Sequence, residues 1–319
     1  MSRFSKRAEA RRQRDDADGP HPLSDDGLAG PADAPTGKPA AGVPGAGVPG
    51  AHPEPVGEQG PILGNSPPPP DDVVVELRDV HKGFGPKKIL KGISMSVRRG
   101  TSAVVLGGSG TGKSVLTKHV VGLLQPDKGE VWVLGERLDL MSSEERDRKR
   151  TRLGYLFQGG ALFDSMTVYE NMRFFLDRLT TLDRDEKDDL IEESLEDVNL
   201  PATRDQYPAE LSGGQKKRIG LARTLILRPD IILYDEPTTG LDPVSVRVVS
   251  ELIVKLRDTR GISSIAITHD LLAAEIITDS AHFLYDGKIA AEGTLDEVRR
   301  SEHPVLQEFF QGTEAYGHA

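Results

Sequence analysis

The 319-residue sequence contains no cysteine, so it has no disulfide framework, and that absence is compatible with a reducing cytoplasm. No apolar run approaches the roughly 18 residues that a membrane span needs, and the basic N-terminal residues are not followed by the apolar segment of a secretion signal. The chain is therefore expected neither to cross a membrane nor to be secreted. An excess of basic residues is also missing: 40 Lys and Arg face 50 Asp and Glu, a net charge of −10, which argues against a binder of nucleic-acid phosphates. None of the eight histidines falls in a zinc pattern such as H-E-x-x-H, so a metal site made of protein ligands alone is not expected. With 37% hydrophobic residues the chain still has material for one or two domains.

Large apolar residues are nearly absent from residues 1–72, which hold 14 of the 22 prolines and repeat Gly-Val-Pro-Gly-Ala between Gly42 and Ala51. Such a segment buries too little to offset the entropy of ordering, so it reads as a disordered tail ending in the polyproline spacer Pro67–Pro70. Its first residues, Arg3, Lys6, Arg7, Arg11, Arg12 and Arg14 against Glu9, read as a solvated charged stretch, with contact to anionic lipid as the alternative.

Downstream the pattern changes. The run Leu106-Gly107-Gly108-Ser109-Gly110-Thr111-Gly112-Lys113-Ser114 has the spacing G-x-x-x-x-G-K-S of a phosphate-binding loop. Small residues let successive backbone N–H groups turn inward around a phosphate. In this pattern Lys113 neutralises phosphate charge and the Ser114 hydroxyl ligates Mg²⁺. The apolar run Ser102–Leu106 predicts a buried strand before the loop, and Ser114–Leu124 a helix after it, whose N-terminus then points at the phosphates.

Around this loop strands and helices alternate. Val73, Val75 and Leu77 alternate with their neighbours as a strand does, a second alternation follows in Ile93–Val97, and Val131–Leu134 reads as another strand. Mixed charges over Ser142–Arg152 predict an exposed helix. From Thr167 to about Leu200 the pattern is helical, with Leu190, Ile191, Leu195 and Val198 on one face of the stretch Asp183–Val198. Strands are expected at Leu153–Phe157, Ile231–Tyr234 and Ser263–Thr268, and helices at Val244–Thr259 and Leu271–Ile277. This order predicts an α/β fold, a parallel sheet with helices on both faces, interrupted by a helical insertion over about residues 167–227.

Two further motifs carry chemistry. The strand Ile231–Tyr234 ends in Asp235 and Glu236, as a strand does that delivers a carboxylate to Mg²⁺ beside a phosphate loop. Asp235 is assigned to the metal, through water, and Glu236 to polarising the attacking water. Leu211-Ser212-Gly213-Gly214-Gln215 precedes a second predicted helix, Lys216–Leu227, and offers a hydroxyl, free N–H groups and a helix dipole at one point. Taken alone it reads equally as a capping loop or as an anion site. A chain with its own phosphate cradle has no use for a second in the same site, so this loop is assigned to the nucleotide of another copy.

On these motifs, over roughly Val73–Gly293, the chain resembles the ATP-binding-cassette (ABC) ATPases, P-loop NTPases whose signature loop reads LSGGQ and completes the site across a head-to-tail homodimer. The resemblance implies a RecA-like parallel-sheet core, an antiparallel β-subdomain and an inserted helical subdomain within residues 73–300, followed by a C-terminal extension over 301–319. It implies ATP and Mg²⁺ as cofactors. It matches Phe84 to the aromatic that stacks on adenine, Gln158 to the Q-loop glutamine at the Mg²⁺ and water, Asp242 to the D-loop aspartate and His269 to the switch histidine at the γ-phosphate. Ser212, Gly213, Gly214 and Gln215 become the signature contacts.

A narrower resemblance rests on Gly154–Met172, with its Phe157-Gln158-Gly159-Gly160-Ala161-Leu162-Phe163 and Val168-Tyr169-Glu170-Asn171, and on the stretch from Ala290 to Phe310. It is similar to the ATPases of Mla-type and Mce-associated lipid transporters. That likeness implies an integral inner-membrane permease and an Mce-type lipid-binding protein as partners, no nucleic acid, and a place in the cytoplasm on the inner face of the cell membrane. The apolar residues Ala161, Leu162, Phe163, Met166 and Val168 are read as a groove for a permease helix or as closure of the helical subdomain's own core. The alternatives are the ATPase of a solute importer and a non-transport ABC ATPase acting on ribosomes or DNA. A single cassette without a long coiled-coil insertion or basic domain weighs against the last.

Overall fold

The computed structural model describes residues 66–317. In chain order these form β1 (Val73–Phe84), β2 (Lys87–Arg98), β3 (Ser102–Leu106), α1 (Lys113–Val120), β4 (Lys128–Val133), β5 (Glu136–Arg137), α2 (Ser143–Arg150), β6 (Leu153–Leu156), α3 (Val168–Leu179), α4 (Arg184–Asp197) and α5 (Gly213–Leu225). They continue as β7 (Ile231–Asp235), α6 (Pro243–Arg260), β8 (Ser263–Ile267), α7 (Leu271–Ile277), β9 (Ser280–Tyr285), β10 (Lys288–Gly293), α8 (Leu295–Arg299) and α9 (Pro304–Gly317).

The strands make two sheets, a four-stranded one of order β2-β1-β4-β5 and a six-stranded one of order β10-β9-β3-β8-β7-β6. The first is antiparallel throughout. In the second, β9, β3, β8, β7 and β6 run parallel and only β10 runs against its neighbour. Strands β3 and β8 are buried along their whole length, and β7 up to Asp235. A parallel sheet is covered on both faces, so its strands read as continuous apolar runs. Alternate residues enter two cores. Val104 and Leu106 of β3 with Ile232 and Tyr234 of β7 pack among α3 to α7, whereas Ala103, Val105, Ile231 and Leu233 pack with α1 and the antiparallel sheet.

Helices lie on both faces as expected, but unequally: one face carries α3 to α7, and on the other α1 shares the cover with the four-stranded sheet. The helix expected over Ser114–Leu124 stops at Val120, because Gly122 turns into the left-handed region at φ 67° and the N–H groups of Val121 and Gly122 bond back to Thr117 and His119. The first two strands extend further than their alternation suggests and form one long hairpin that reaches Phe84 and starts again at Lys87. Strands β9 and β10 were not foreseen. The tail expected over 1–72 lies outside the described residues up to position 65, but Ser66–Asp72 is fixed to the antiparallel sheet. Ser66 Oγ donates to Glu130 at 2.7 Å, Arg78 donates to the Pro67 carbonyl at 2.8 Å, and Pro69 is buried.

The segment expected as an extension past residue 300 contributes to the main core. Leu306 is 0% and Phe310 4% exposed, and the Phe309 ring meets Phe283 of β9 edge-on at 5.2 Å. Each such burial contributes about 1.5–3 kcal/mol. Helices α3 and α4 are set by capping boxes, Thr167 with Glu170 and Asp183 with Glu186, and bury Met172, Leu176, Ile191 and Leu195 between them and the core. Replacing Leu176, which is 0% exposed, by Ala is expected to cost ~2–5 kcal/mol in urea denaturation. Replacing Leu179, 49% exposed on the same helix, should cost under about 0.5 kcal/mol.

Candidate functional site

Four neighbouring parallel strands, β3, β8, β7 and β6, deliver the candidate residues at one edge of the sheet. Val105 pairs with Ile267, Ile267 with Asp235, and Leu156 with Tyr234. The next residues along these strands are therefore brought side by side: Gly107 after β3, His269 after β8, Asp235 and Glu236 at the end of β7, Gln158 after β6. Crevices at the carboxyl ends of open parallel sheets are the regular ligand sites of α/β folds.

The loop between β3 and α1 holds Gly107, Gly110 and Gly112 at φ 148°, 75° and 109°. A Cβ on Gly107 would lie 2.3 Å from the Leu284 carbonyl oxygen of β9, so the loop has no room for a side chain there. The amide groups at the start of α1 have no side-chain cap and no acidic residue in the first turn. By contrast α2, α3, α4, α5 and α8 all close with capping boxes. An uncapped helix N-terminus leaves N–H groups and the positive end of the dipole available to an anion. Lys113 Nζ spans the loop, donating to the Gly107 and Gly108 carbonyls at 2.8 Å each. Burial lowers its pKa from the ordinary lysine value, and the charges of Glu236 and Asp235 oppose that shift. Ser109 and Ser114 are exposed on the loop and the first turn, and Thr111 Oγ1 donates to the Gly108 carbonyl at 3.0 Å.

Asp235 accepts from the Tyr155 hydroxyl at 2.9 Å. Burial pushes the tyrosine pKa up to about 12, which keeps it a neutral donor. Glu236 stands at φ 53°, unusual for a side chain of its size, and its N–H is fixed to the Ile267 carbonyl at 2.9 Å. Its Oε2 accepts from Thr239 Oγ1 at 3.0 Å and lies 2.9 Å from His269 Nδ1. The imidazole is 57% exposed and the carboxylate 13%, so the ring forms the outer side of the pair. Thr238 Oγ1 donates to Asp270 at 3.0 Å, which ties the loop carrying Glu236 to the loop carrying His269.

Phe84 is 51% exposed at the tip of the β1–β2 hairpin, with Lys82 Nζ 5.8 Å above its ring. The same hairpin places Ile89 and Leu90 against Gly112, within 3.0 Å of where its Cβ would be. Gln158 is exposed beyond β6.

The signature loop faces elsewhere. Ser212 Oγ accepts from the Gln215 N–H at 3.2 Å and the Ser212 N–H donates to Gln215 Oε1 at 2.8 Å, a capping box for α5. Within one chain, then, the capping role is realised. Among the described residues no hydrogen bond joins Ser212–Gln215 to the loop 107–114. Gly213 and Gly214 lie instead against Leu241 and Ser245, beside Asp242. Asp242 caps α6 through the Val244 and Ser245 N–H groups at 3.0 Å each, and its carboxyl is held below the ordinary aspartate range by bonds from Ser245.

Residues 157–171 divide. Val168 is fully buried and Leu162 packs against the core, but Phe163 is 40% and Phe157 48% exposed. Buried Asn171 fastens the loop, accepting from the Phe163 N–H at 2.7 Å and donating to the carbonyls of Phe163, Met166 and Thr167. Sequence reasoning missed Tyr155, Thr239 and Lys217 as site residues. Lys217 is buried in α5 and donates to the Gln158 carbonyl. Its sequence signal was weak, one cation of the run Lys216-Lys217-Arg218 falling on the face of the helix that buries Gly220 and Leu221.

Among the described residues no cluster of three His, Asp or Glu side chains is arranged to hold a metal ion by itself. The set that is present suits a triphosphate whose own oxygens complete the metal shell: an uncapped helix end, a lysine in the cradle, a serine and a strand-end aspartate.

This fold with this loop defines a P-loop nucleoside-triphosphate cassette. A family model described as ABC transporter matches residues 90–239. The chain is 41% identical to the protein TRIGALACTOSYLDIACYLGLYCEROL 3 of Arabidopsis thaliana, over 76% of this chain and 74% of that one. It is 37% identical to a probable ribonucleotide transport ATP-binding protein, mkl, of Mycobacterium leprae (76% and 70%). To the intermembrane phospholipid transport system ATP-binding protein MlaF of Escherichia coli it is 35% identical (75% and 89%). A solved dimeric structure of the ATP-binding cassette MJ0796 in a post-hydrolysis state with ADP and Pi is similar at TM-score 0.64 and 28% identity, over 69% of this chain and 98% of that one. The chain belongs to the ABC transporter family and is an ATPase of that family.

Gly107→Ala is expected to displace the cradle, because its Cβ would meet a backbone oxygen of a buried strand that cannot yield. Nucleotide affinity, read with a fluorescent ATP analogue, should fall at least about tenfold, the equivalent of about 1.4 kcal/mol. Gly110→Ala, whose Cβ would meet nothing within 4 Å and whose cost is the strain of φ 75°, should lose markedly less.

Proposed function

We propose that this chain is the ATP-hydrolysing subunit of a transporter that moves phospholipid between membranes, and that it works as a homodimer enclosing two ATP molecules. The observation that carries the catalytic reading is the fastening of Glu236 by Thr239, His269 and its own backbone, at the strand end next to Asp235 and within the electrostatic reach of Lys113. So held, the carboxylate is placed to polarise a water as general base, with His269 at the γ-phosphate side. Gly107–Gly112 and Lys113 cradle the β- and γ-phosphates; Ser114, Asp235 and Gln158 would hold the Mg²⁺. Bound Mg²⁺ would supply charge neutralisation of the phosphates. Phe84 stacks on the adenine.

Ser212, Gly213, Gly214 and Gln215 serve the partner copy's ATP, with Asp242 beside them in the interface. ATP then bridges the copies and favours the closed dimer, and hydrolysis removes the bridge. The dimeric cassette found with ADP and Pi supports this arrangement. The phospholipid cargo rests on the phospholipid transport named for MlaF and on the stretch Gly154–Met172. An integral permease and an Mce-type lipid-binding protein are the partners this reading requires, with the ATPase on the cytoplasmic face of the membrane. Exposed Phe163 and Phe157 are the apolar surface available to a permease helix. A solute cargo is the second reading, favoured by the ribonucleotide transport named for the mycobacterial relative.

Glu236→Gln should lower kcat by ~10²–10⁴ while ATP affinity holds, and should trap an ATP-bound dimer visible by size exclusion. Undiminished turnover would remove Glu236 from the general-base role. For the cargo, the ATPase should be purified with its native permease, and bound small molecules extracted. Recovered phospholipid supports the reading; a lipid-free complex stimulated only by a soluble substrate-binding protein transfers it to the solute importer. In that complex Phe163→Glu should uncouple transport and leave most of the intrinsic ATP hydrolysis, since Phe163 supplies no ligand to the site.

A further inference from the structure

Helix α5, which starts at the signature loop, also grips the loop after β6. Lys217, Gly220 and Arg223 recur every three residues and so lie along one side of the helix. Lys217 Nζ donates to the Gln158 carbonyl. A Cβ on Gly220 would lie 3.2 Å from both Cα and O of Gly160, so helix and loop touch backbone to backbone. Arg223 donates to the carbonyls of Ala161 at 2.7 Å and Gly160 at 2.9 Å, and its guanidinium lies 5.1 Å from the centre of the Phe175 ring of α3.

Lys217 differs from Arg223 in one respect. Its ammonium also approaches the Glu236 carbonyl at 3.4 Å and is 7% exposed. A buried cation must find acceptors, and both of these acceptors are backbone oxygens of residues assigned to the hydrolytic site. Burial disfavours the charge, while the neighbouring carboxylates Glu236 and Asp235 sustain it. Three elements thus meet at one ammonium: the Q-loop, the end of β7 and the signature helix.

We propose that Lys217 is a positioning residue for ATP hydrolysis, fixing Gln158 and Glu236 relative to each other through their backbone oxygens. Because Lys217 stands five residues beyond Ser212 on the same helix, it also links this chain's hydrolytic site to the loop offered to the other copy's nucleotide. The inference rests on the function proposed above. An apolar side chain at this position would leave two carbonyls without their donor and free the two loops to shift. Misplacing catalytic groups by about 1 Å can cost ~10²-fold in rate with little effect on binding. Arginine keeps the charge and the donors.

The test uses the full-length chain, measuring kcat and KM for ATP, affinity for a fluorescent ATP analogue, and melting temperature. Lys217→Met should lower kcat by about 10–100-fold with affinity unchanged within about twofold, and Lys217→Arg should recover at least about a third of the rate. Lys216→Met, next door and outside the site, should turn over at the wild-type rate. Should Lys217→Met fail to fold, Lys217→Gln, whose amide is polar but one bond too short to reach both carbonyls, is expected to show the same split between kcat and affinity. A kcat within about twofold of wild type overturns the proposal, as does a parallel loss of rate, affinity and melting temperature that arginine does not repair. Lys113→Ala and Glu236→Gln test the parent reading separately. If they abolish turnover while Lys217→Met does not, only the role of Lys217 fails.

Discussion

The hydrogen-bonded register of four parallel strands is the constraint on which the site depends. Val105 opposite Ile267, Ile267 opposite Asp235 and Tyr234 opposite Leu156 bring four strand ends to one line. Each end then releases a loop within reach of the next. A slip of one residue in any pairing would exchange the two faces of that strand, sending Val104 and Leu106, for example, toward the antiparallel sheet. Because both faces are buried, such a slip would misplace apolar side chains on both sides at once, and the register is strongly specified. The chemistry inherits that precision without any direct contact between Gly107, Glu236 and Gln158.

The phosphate loop is held from two further sides. Leu284 of β9 presses its carbonyl against Gly107, and Ile89 and Leu90 of β2 press against Gly112. Phe283, adjacent to Leu284, is packed by Phe309 of α9. The cradle is consequently set by strands from both sheets and, through β9, by the end of the chain. An anion-binding loop gains most when its N–H groups are aimed before the ligand arrives, since no reorganisation is then needed. The unusual backbone of Glu236 follows the same principle. A conformation that costs of order 1 kcal/mol or more is sustained by one backbone bond and the Thr239 side-chain bond, with His269 Nδ1 2.9 Å from the carboxylate.

Much of this was legible because the informative signals are local. The spacing of Gly107 to Ser114, the acids behind an apolar run at Asp235 and Glu236, and the histidine behind another at His269 need no tertiary knowledge. What escaped is what depends on the other face of the sheet. Nothing in the alternation of Val73–Leu77 says that its sheet will cover a parallel one. Strand β9 reads Ser-Ala-His-Phe-Leu-Tyr, an apolar run broken by His282. Yet its turn to β10, Asp286-Gly287 at φ 43° and 74°, is the two-residue hairpin signal at its plainest. Lys217 and Tyr155 escaped for a different reason. Their partners lie 59 and 80 residues away in sequence, brought close by the packing of α5 on the loop after β6 and by the register of β6 against β7.

The helix ends set the phosphate loop and the Ser212–Gln215 loop apart from most others, although α9 also lacks an acid in its first turn. Among α1 to α8, an acidic residue sits at the N-cap or in the first turn of α2, α3, α4, α6, α7 and α8. Helices α1 and α5 have neither. An acid at this position offsets the positive end of the helix dipole, typically by ~0.3–1 kcal/mol, so its absence leaves that end uncompensated. Helix α1 is the phosphate-loop helix and has no cap at all; helix α5 carries only the neutral Ser212–Gln215 box. Two uncompensated helix ends on one chain, with no hydrogen bond between their loops, are poorly suited to share a ligand within that chain. They fit the head-to-tail pair proposed above, in which one copy's α1 and the other's α5 would converge on the same polyphosphate and the ligand would supply the negative charge that the sequence withholds.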